Sequence, residues 1–361
     1  MISPKEIVQL RQRRGWSQQQ LAETLDVTFA TVSRWEQGKS SPRADRARVL
    51  RRLLDDAPRD NVLSIDQIAD QVWAGDCRTL LNRLPNDAAH CVISDIPYGI
   101  GADDWDVLHD NQNSAYLGNS PAQKRAGDVF KRRGKPINGW SAKDREIPQQ
   151  YYRWCLTWLP ACLRILKPGG ALILFAGRRM APRAAVAVED AGFNLRDMLA
   201  WIRPNAVHRA QRASGVFERR GNPEAAAAWA GWRLGNLQPR FEPILWAGKP
   251  YRVTLADNLL EHGVGAFNQS ALDATSKDSP ANVFQFGRTA AEGNLHVAQK
   301  PLALMKALIA LVTVQGQLVV DPFAGSGTTG LAAKQLDRRF LLIERDPQIA
   351  AVARERLEMN K

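Results

Sequence analysis

The stretch Gln317-Leu-Val-Val-Asp-Pro-Phe-Ala-Gly-Ser-Gly-Thr-Thr-Gly330 decides how this chain folds. Its apolar run forms a short strand, Asp321-Pro-Phe turns the chain at the strand's end, and the glycines open a helix. Glycines there let the backbone come close to a ligand. Arg339-Phe-Leu-Leu-Ile343 makes the next strand and ends at Glu344, an acid placed to grip a ribose. Gly325-Ser-Gly-Thr-Thr-Gly330 formally matches GxGxxG, a weak signal by itself because several cofactors use the same physics.

Working outward, the same strand-helix alternation recurs. Gln71-Val-Trp-Ala-Gly-Asp76 is a strand ending in an acid, followed by a helix over Arg78–Leu84 and a Pro85-Asn-Asp turn. A second strand, through Cys91-Val-Ile-Ser, ends in Asp95-Ile-Pro-Tyr98. An amphipathic helix over Gln150–Leu166 leads through Lys167-Pro-Gly-Gly170 into a buried strand, Ala171–Phe175. Pro182–Ala191 reads as helix, Phe193–Ile202 as strand and Met305–Thr313 as helix. This alternation predicts an α/β, Rossmann-like, doubly wound and mostly parallel sheet. Ligands in such sheets sit beyond the carboxyl ends of the strands, where Asp76, Asp95, Asp321 and Glu344 all fall.

The first sixty residues have a different rhythm. Pro4–Arg14 has helical spacing, Ser17-Gln-Gln-Gln20 fits a capping box, and Thr28 caps a helix over Phe29–Gln37 that stops at Gly38. A fourth helix covers Arg43–Leu54. Two short helices joined by the Asp26-Val27 turn fit helix-turn-helix geometry. The expected division is a small all-α module at 1–56, a linker at 57–69 around Pro58, and a large domain at 70–361. Two long segments escape the alternation: 102–149, with Lys124, Arg125, Lys131, Arg132, Arg133 and Lys135, and 203–294, with Arg203, His208, Arg209, Arg212, Arg219 and Arg220 near its front. Loops of that length are functional or disordered.

The chain has 361 residues and a formal charge of +12, from 49 Lys+Arg against 37 Asp+Glu, which suggests a polyanionic partner. Cys77, Cys91, Cys155 and Cys162 form no CxxC pair, and no ligand cluster suggests a metal. No signal peptide is visible and no apolar run approaches the roughly 18 residues of a membrane span, so a soluble cytoplasmic protein without a membrane partner is expected.

Trp16-Ser-Gln-Gln-Gln-Leu-Ala-Glu, Val27-Thr and Val32-Ser-Arg-Trp-Glu-Gln-Gly38 resemble the phage-repressor/Cro-like helix-turn-helix family. That resemblance implies that Thr28, Phe29, Thr31 and Ser33 face bases while Gln18 and Arg34 approach phosphates. Asp321-Pro-Phe-Ala-Gly-Ser-Gly-Thr is similar to the S-adenosyl-L-methionine loop of DNA amino-methyltransferases, and His296-Val-Ala-Gln-Lys-Pro301 to the segment that completes that pocket. Asp95-Ile-Pro-Tyr98 is similar to their Asp-Pro-Pro-Tyr box, with Ile96 at the usual first proline, a departure expected to loosen the loop slightly. The motif order, catalytic loop first, resembles the permuted beta-type arrangement. The resemblance implies a cofactor site of Asp76, Lys300, Asp321, Pro322, Phe323, Gly325, Ser326, Gly327, Thr328 and Glu344. It also places target recognition in 203–294, with Arg209 and Arg212 on DNA, and leaves the insertion 102–149 unassigned.

The chemistry of the box supports the resemblance. An exocyclic amine is a poor nucleophile because its lone pair is delocalised into the ring. Acceptors that hold its hydrogens let the nitrogen pyramidalise toward a methyl donor. Asp95 and the Ile96 carbonyl before Pro97 are such acceptors, and Tyr98 is a face on which a flipped base can stack. No Pro-Cys pair, the signature of cytosine-C5 methylation, occurs. The expected activity is methylation of adenine N6 in double-stranded DNA, since Asp heads the box. Cytosine N4 is the alternative. A transcriptional regulator with a non-catalytic methyltransferase-like body competes from another class, and an NAD-dependent dehydrogenase leaves Asp-Ile-Pro-Tyr unexplained. A homodimer and a cognate restriction endonuclease are further partners compatible with the resemblance.

Overall fold

The computed structural model describes residues 2–14, 16–55, 62–98, 142–203, 210–235, 237–273, 281–287 and 299–359. Residues 102–141 with their basic cluster, Pro58, His208, Arg209 and His296 lie outside the described residues.

The strands, in chain order, are β1 (Gln71–Ala74), β2 (Ala89–Asp95), β3 (Leu166–Phe175), β4 (Asn194–Ile202), β5 (Gln211–Arg212), β6 (Arg233–Leu234), β7 (Phe241–Gly248), β8 (Val283–Gln285), β9 (Leu318–Asp321) and β10 (Arg339–Glu344). Eight of them form one sheet in the order β1-β10-β9-β2-β3-β7-β4-β8, and β5 pairs with β6 separately. Neighbours from β1 to β3 run parallel, and β7 runs antiparallel to both β3 and β4.

Period-two alternation assigns the side chains to two faces. Val92, Leu172, Leu174, Val320, Leu341 and Ile343 pack with the helices Ala142–Cys155, Leu159–Ile165 and Ala181–Asp190. Cys91, Ile93, Ile173, Phe175, Val319, Phe340 and Leu342 pack with the helices Leu302–Val312, Thr328–Lys334 and Pro347–Met359. From β2 the chain winds over the first face to β3, and from β9 over the second face to β10. The winding reverses between the adjacent strands β2 and β9, which opens a crevice at their carboxyl ends.

Three elements differ from the sequence expectation. The helix expected over Gln150–Leu166 is two, Ala142–Cys155 and Leu159–Ile165, because Pro160 inside one helix would clash with the carbonyl four residues back. The Lys167–Gly170 turn persists as an excursion in β3: Ala89 pairs with Leu166, and Cys91 next pairs with Ala171. The irregular segment 203–294 contains a central strand, β7, which reads poorly in sequence because Pro243 interrupts it.

The amino-terminal module has its own core of Ile7, Leu10, Leu21, Leu25, Val32, Trp35 and Leu50. Its helices span Pro4–Arg13, Gln18–Thr24, Phe29–Glu36 and Ala44–Asp55. Ser3 and Ser17 both close capping boxes, and Thr28 caps the third helix. Residues 62–69, assigned in sequence to the linker, include the helix Ile65–Ile68 and bury Ile68 and Ala69 in the sheet domain's core.

Candidate active site

At the reversal point lies a solvent-open cleft enclosing about 1050 Å³, open solvent included. Its floor is the end of β9 and the turn after it. Asp321 is buried with every carboxylate oxygen engaged: Oδ1 accepts from the Ser94 hydroxyl at 2.5 Å and the Phe323 N–H at 3.0 Å, and Oδ2 accepts from the Thr329 hydroxyl at 2.5 Å. Burial pushes its carboxyl up to about 6, against those hydrogen bonds. Asp321 thus joins β2, the loop and the next helix. Gly325 adopts φ +51 with open space where a Cβ would stand, and its N–H donates to Glu344 Oε2 at 2.8 Å. Glu344 Oε1 accepts from the Asp346 N–H at 2.9 Å. Buried Arg356 steadies the loop by donating to the Ser326 carbonyl at 3.1 Å and the Thr328 hydroxyl at 2.9 Å.

Of the expected cofactor residues, Asp76, Lys300, Asp321, Pro322, Phe323, Gly325, Ser326, Thr328 and Glu344 line this cleft. Gly327 does not. Its φ is +80, and a Cβ there would stand 3.0 Å from the Ala353 Cβ, so it serves the turn and the packing of the carboxyl-terminal helix. Asp76 caps the following helix and pairs with Arg78, whose hydrogen bonds hold the carboxyl below its usual range. Trp154, Met305 and Ile349 add an apolar wall that sequence reasoning missed. Trp154 lies 5.6 Å from Phe323, ring centre to ring centre.

Beside the cleft, the end of β2 carries Asp95-Ile-Pro-Tyr98. Asp95 lines the cleft, and its Oδ1 is buried with no hydrogen-bond partner among the described residues. Its Oδ2 pairs with Lys300. Lys300 also donates to the Tyr98 hydroxyl at 3.1 Å and sits 3.2 Å from Glu242 Oε1, which accepts the Tyr98 O–H. Lys300 therefore belongs as much to this polar cluster as to the cofactor pocket expected for it from sequence. Its place is reinforced by the faces of Phe175, Tyr98 and Trp201, at 5.1, 5.5 and 5.9 Å.

The charges here compete. Burial, opposed by the Lys300 ammonium and reinforced by Glu242, pushes the Asp95 carboxyl up to about 6. Burial disfavours the Lys300 ammonium, but Asp95 and Glu242 outweigh it and raise its pKa. Burial and the same two carboxylates hold the Tyr98 phenol far above its ordinary range, so it remains a donor. Glu242, on β7, escaped sequence reasoning because only the fold brings it to Tyr98.

Ile96 does not loosen the loop. Its N–H, which a proline lacks, donates to the Phe175 carbonyl at 3.3 Å, prolonging the β2–β3 ladder, and its side chain is buried in the core. The Pro97 carbonyl accepts the Tyr151 O–H at 2.9 Å. Gly177 admits the Tyr98 ring, since a Cβ there would stand 2.8 Å from its Cγ.

Among the expected DNA contacts, Phe29 is exposed on the third helix, with Arg34 also exposed and Thr31 and Ser33 half-buried. The Thr28 hydroxyl caps that helix, accepting from the Thr31 N–H at 3.3 Å. Gln18, expected to approach a phosphate, donates to Glu36 Oε2 at 2.6 Å inside the module. Arg212 is exposed on β5, in the ribbon it forms with β6, and Trp229 and Trp232 are exposed in the segment that leads into β6. No helix among the described residues is long and apolar enough to cross a membrane. Their cysteines are free and buried, and burial pushes the Cys77 and Cys155 thiols up to about 12.

The comparisons with known proteins agree with this geometry. A DNA methylase family model matches residues 89–355, and a helix-turn-helix model matches residues 7–56. The chain is 49% identical over 298 residues to the type II methyltransferase M.HindIII of Haemophilus influenzae, covering 81% of this chain and 96% of that one. It is 23% identical over 305 residues to the type II methyltransferase M.HinfI of Haemophilus influenzae, covering 82% of this chain and 71% of that one. Among solved structures, PvuII DNA methyltransferase (cytosine-N4-specific) shares the fold with a TM-score of 0.52 at 17% identity, over 79% of this chain and 85% of that one.

Proposed function

The chain belongs to the DNA methylase family, and we propose that it transfers a methyl group to the exocyclic N6 of adenine in double-stranded DNA. The observation that carries the proposal is Asp95: a carboxylate at the cleft with one buried oxygen that has no hydrogen-bond donor among the described residues. Buried acceptors are normally satisfied, and an N–H of an exocyclic amine would satisfy this one. Asp at the head of the box favours adenine, and Tyr98 provides the stacking face for a base swung out of the duplex.

S-adenosylmethionine, when bound, supplies an electrophilic methyl group on a sulfonium sulfur. The residues present suit it. Glu344 stands where ribose hydroxyls would be held, Phe323, Trp154 and Ile349 form an apolar wall for an adenine ring, and the Gly325 turn leaves room for close approach. Asp95 then orients the target nitrogen, Tyr98 holds the base plane, and the Tyr151 bond to the Pro97 carbonyl keeps the loop rigid.

For the module, we infer binding of a particular duplex through Phe29, Thr31, Ser33 and Arg34, with Arg212, and Arg209 beyond the described residues, gripping phosphates near the target. Pairing of two modules and a companion endonuclease belong to the same proposal.

Nucleoside mass spectrometry on DNA from an expressing strain, with methylation-sensitive long-read sequencing, tests the base. N6-methyladenine in one sequence context is the expected product. N4-methylcytosine alone would assign the chain to the other branch of the family.

A further inference from the structure

We propose that Glu242 is a positioning residue of methyl transfer: it cancels the charge of Lys300 and leaves that of Asp95 to the target amine. The proposal rests on transfer to an exocyclic amine and holds for either base. Nucleoside analysis of the wild-type product decides the base, whereas relative rates of variants decide the role of Glu242, so each can fail alone.

Lys300 lies between two carboxylates, paired with Asp95 and 3.2 Å from Glu242 Oε1. Counted formally, the three groups carry one surplus negative charge. With Glu242 neutral, Asp95 and Lys300 would form a closed pair of no net charge. In transfer, the amine's lone pair forms the N–C bond, the S–C electrons stay with sulfur, and positive charge moves onto nitrogen until an N–H proton leaves to Asp95 or water. A fixed negative charge beside that nitrogen stabilises the change, and does so more strongly away from water. Asp95, Tyr98 and Lys300 are buried or half-buried, and Glu242 is 8% exposed. Glu242 also accepts the Tyr98 O–H, a bond that a glutamine oxygen would retain.

The other charged groups facing this cluster among the described residues are Arg203, 4.0 Å from Glu242 Oε2, and Asp321, whose carboxyl is raised in part by Asp95. Arg203 is half-exposed at 46% and therefore screened, and Asp321 is spent on the cofactor loop. Neither replaces Glu242 as the counter-charge to Lys300.

Single-turnover transfer at saturating donor, with melting temperature and donor affinity as controls of folding, tests the proposal. Glu242→Gln keeps the Tyr98 acceptor and removes the charge. The rate should fall roughly 10²-fold with the KM for DNA near wild type. The acid limb of the pH–rate profile should move to lower pH, because a neighbouring negative charge no longer raises Asp95. The double variant Glu242→Gln/Lys300→Met restores one negative charge once Asp95 is ionised. Because losing Lys300 raises the Asp95 carboxyl, the variant's rate is read on the alkaline plateau of its own pH–rate profile, where it should recover about tenfold of that loss. If methionine destabilises the site, Lys300→Gln in the same background has the same charge and reads the same effect. A wild-type rate in Glu242→Gln, or a folded double variant no faster than Glu242→Gln, would overturn the proposal, since a purely structural Glu242 predicts no rescue by losing Lys300.

Discussion

Asp95 ends β2 and Glu344 ends β10, on either side of β9 and lining the same cleft, but they meet different parts of the reaction, so their substitutions should separate. Asp95→Ala removes the acceptor for the amine and should abolish most transfer, with a fall of roughly 10²–10³-fold, while donor affinity stays close to wild type. Glu344→Ala should weaken donor binding first. Equilibrium binding beside single-turnover rates resolves the two, and near-normal transfer by Asp95→Ala would refute the catalytic assignment. Asp95 stabilises positive charge on the amine, and is a full-strength acceptor, only when ionised. Because its pKa is raised to about 6, transfer in the wild type should decline as pH falls through that value and level off above it. Tyr98→Ala forfeits the stacking face, worth about 1–3 kcal/mol per base on such platforms. Ile96 shows how a single departure from a family box is decided by context. Its amide gains a hydrogen bond that proline cannot make, so Ile96→Pro should free the Phe175 carbonyl without rigidifying the loop further.

At the scale of elements, strands with clean alternation were legible and the strand that completes the site was not. β9 and β10 announce themselves by unbroken apolar runs ending in acids. β7 contains a proline and is buried along most of its length, which erases the period-two signal. The short ribbon of β5 and β6 was equally hidden, because two-residue strands carry no periodicity. Arg212 stands on that ribbon among exposed side chains, as a phosphate-contacting residue would. Reversing its charge should lower DNA affinity and flatten the dependence of binding on salt by about one unit of slope, because one fewer counterion is released. Filter binding over a salt series measures this, with donor affinity as the control; an unaltered slope would make the ribbon a solvated surface.

For the whole molecule, the informative fact is that M.HindIII is matched over 96% of its length by 81% of this chain. Part of this chain has no counterpart there, and the helix-turn-helix model occupies residues 7–56 with a core of its own. A fragment of residues 62–361 should therefore fold and methylate DNA, with weaker affinity at most. A fragment of residues 1–55 should fold alone and prefer one duplex. Repressor-like modules of this geometry read paired half-sites as dimers. Footprinting the DNA upstream of the gene should show protection of a two-fold repeat that Arg34→Ala removes. A module without any preferred duplex would restrict the amino terminus to non-specific tethering or packing.

Sequence by itself determined the alternating α/β order, the capped helices of the module, and the four acids at strand ends, because each depends on neighbours within a few residues. Helix caps, glycine turns and apolar periods are local physics. Only the tertiary structure decided that β2 and β9 lie side by side, and so which acids share a cleft. It also decided that Lys300 reaches across 202 residues to Tyr98, and that Tyr98 reaches across 144 to Glu242. A buried glutamate and a lysine far apart in the chain carry no local sign of each other. Their pairing arises because both side chains are largely buried where the fold brings them together, so each charge is stabilised chiefly by its opposite.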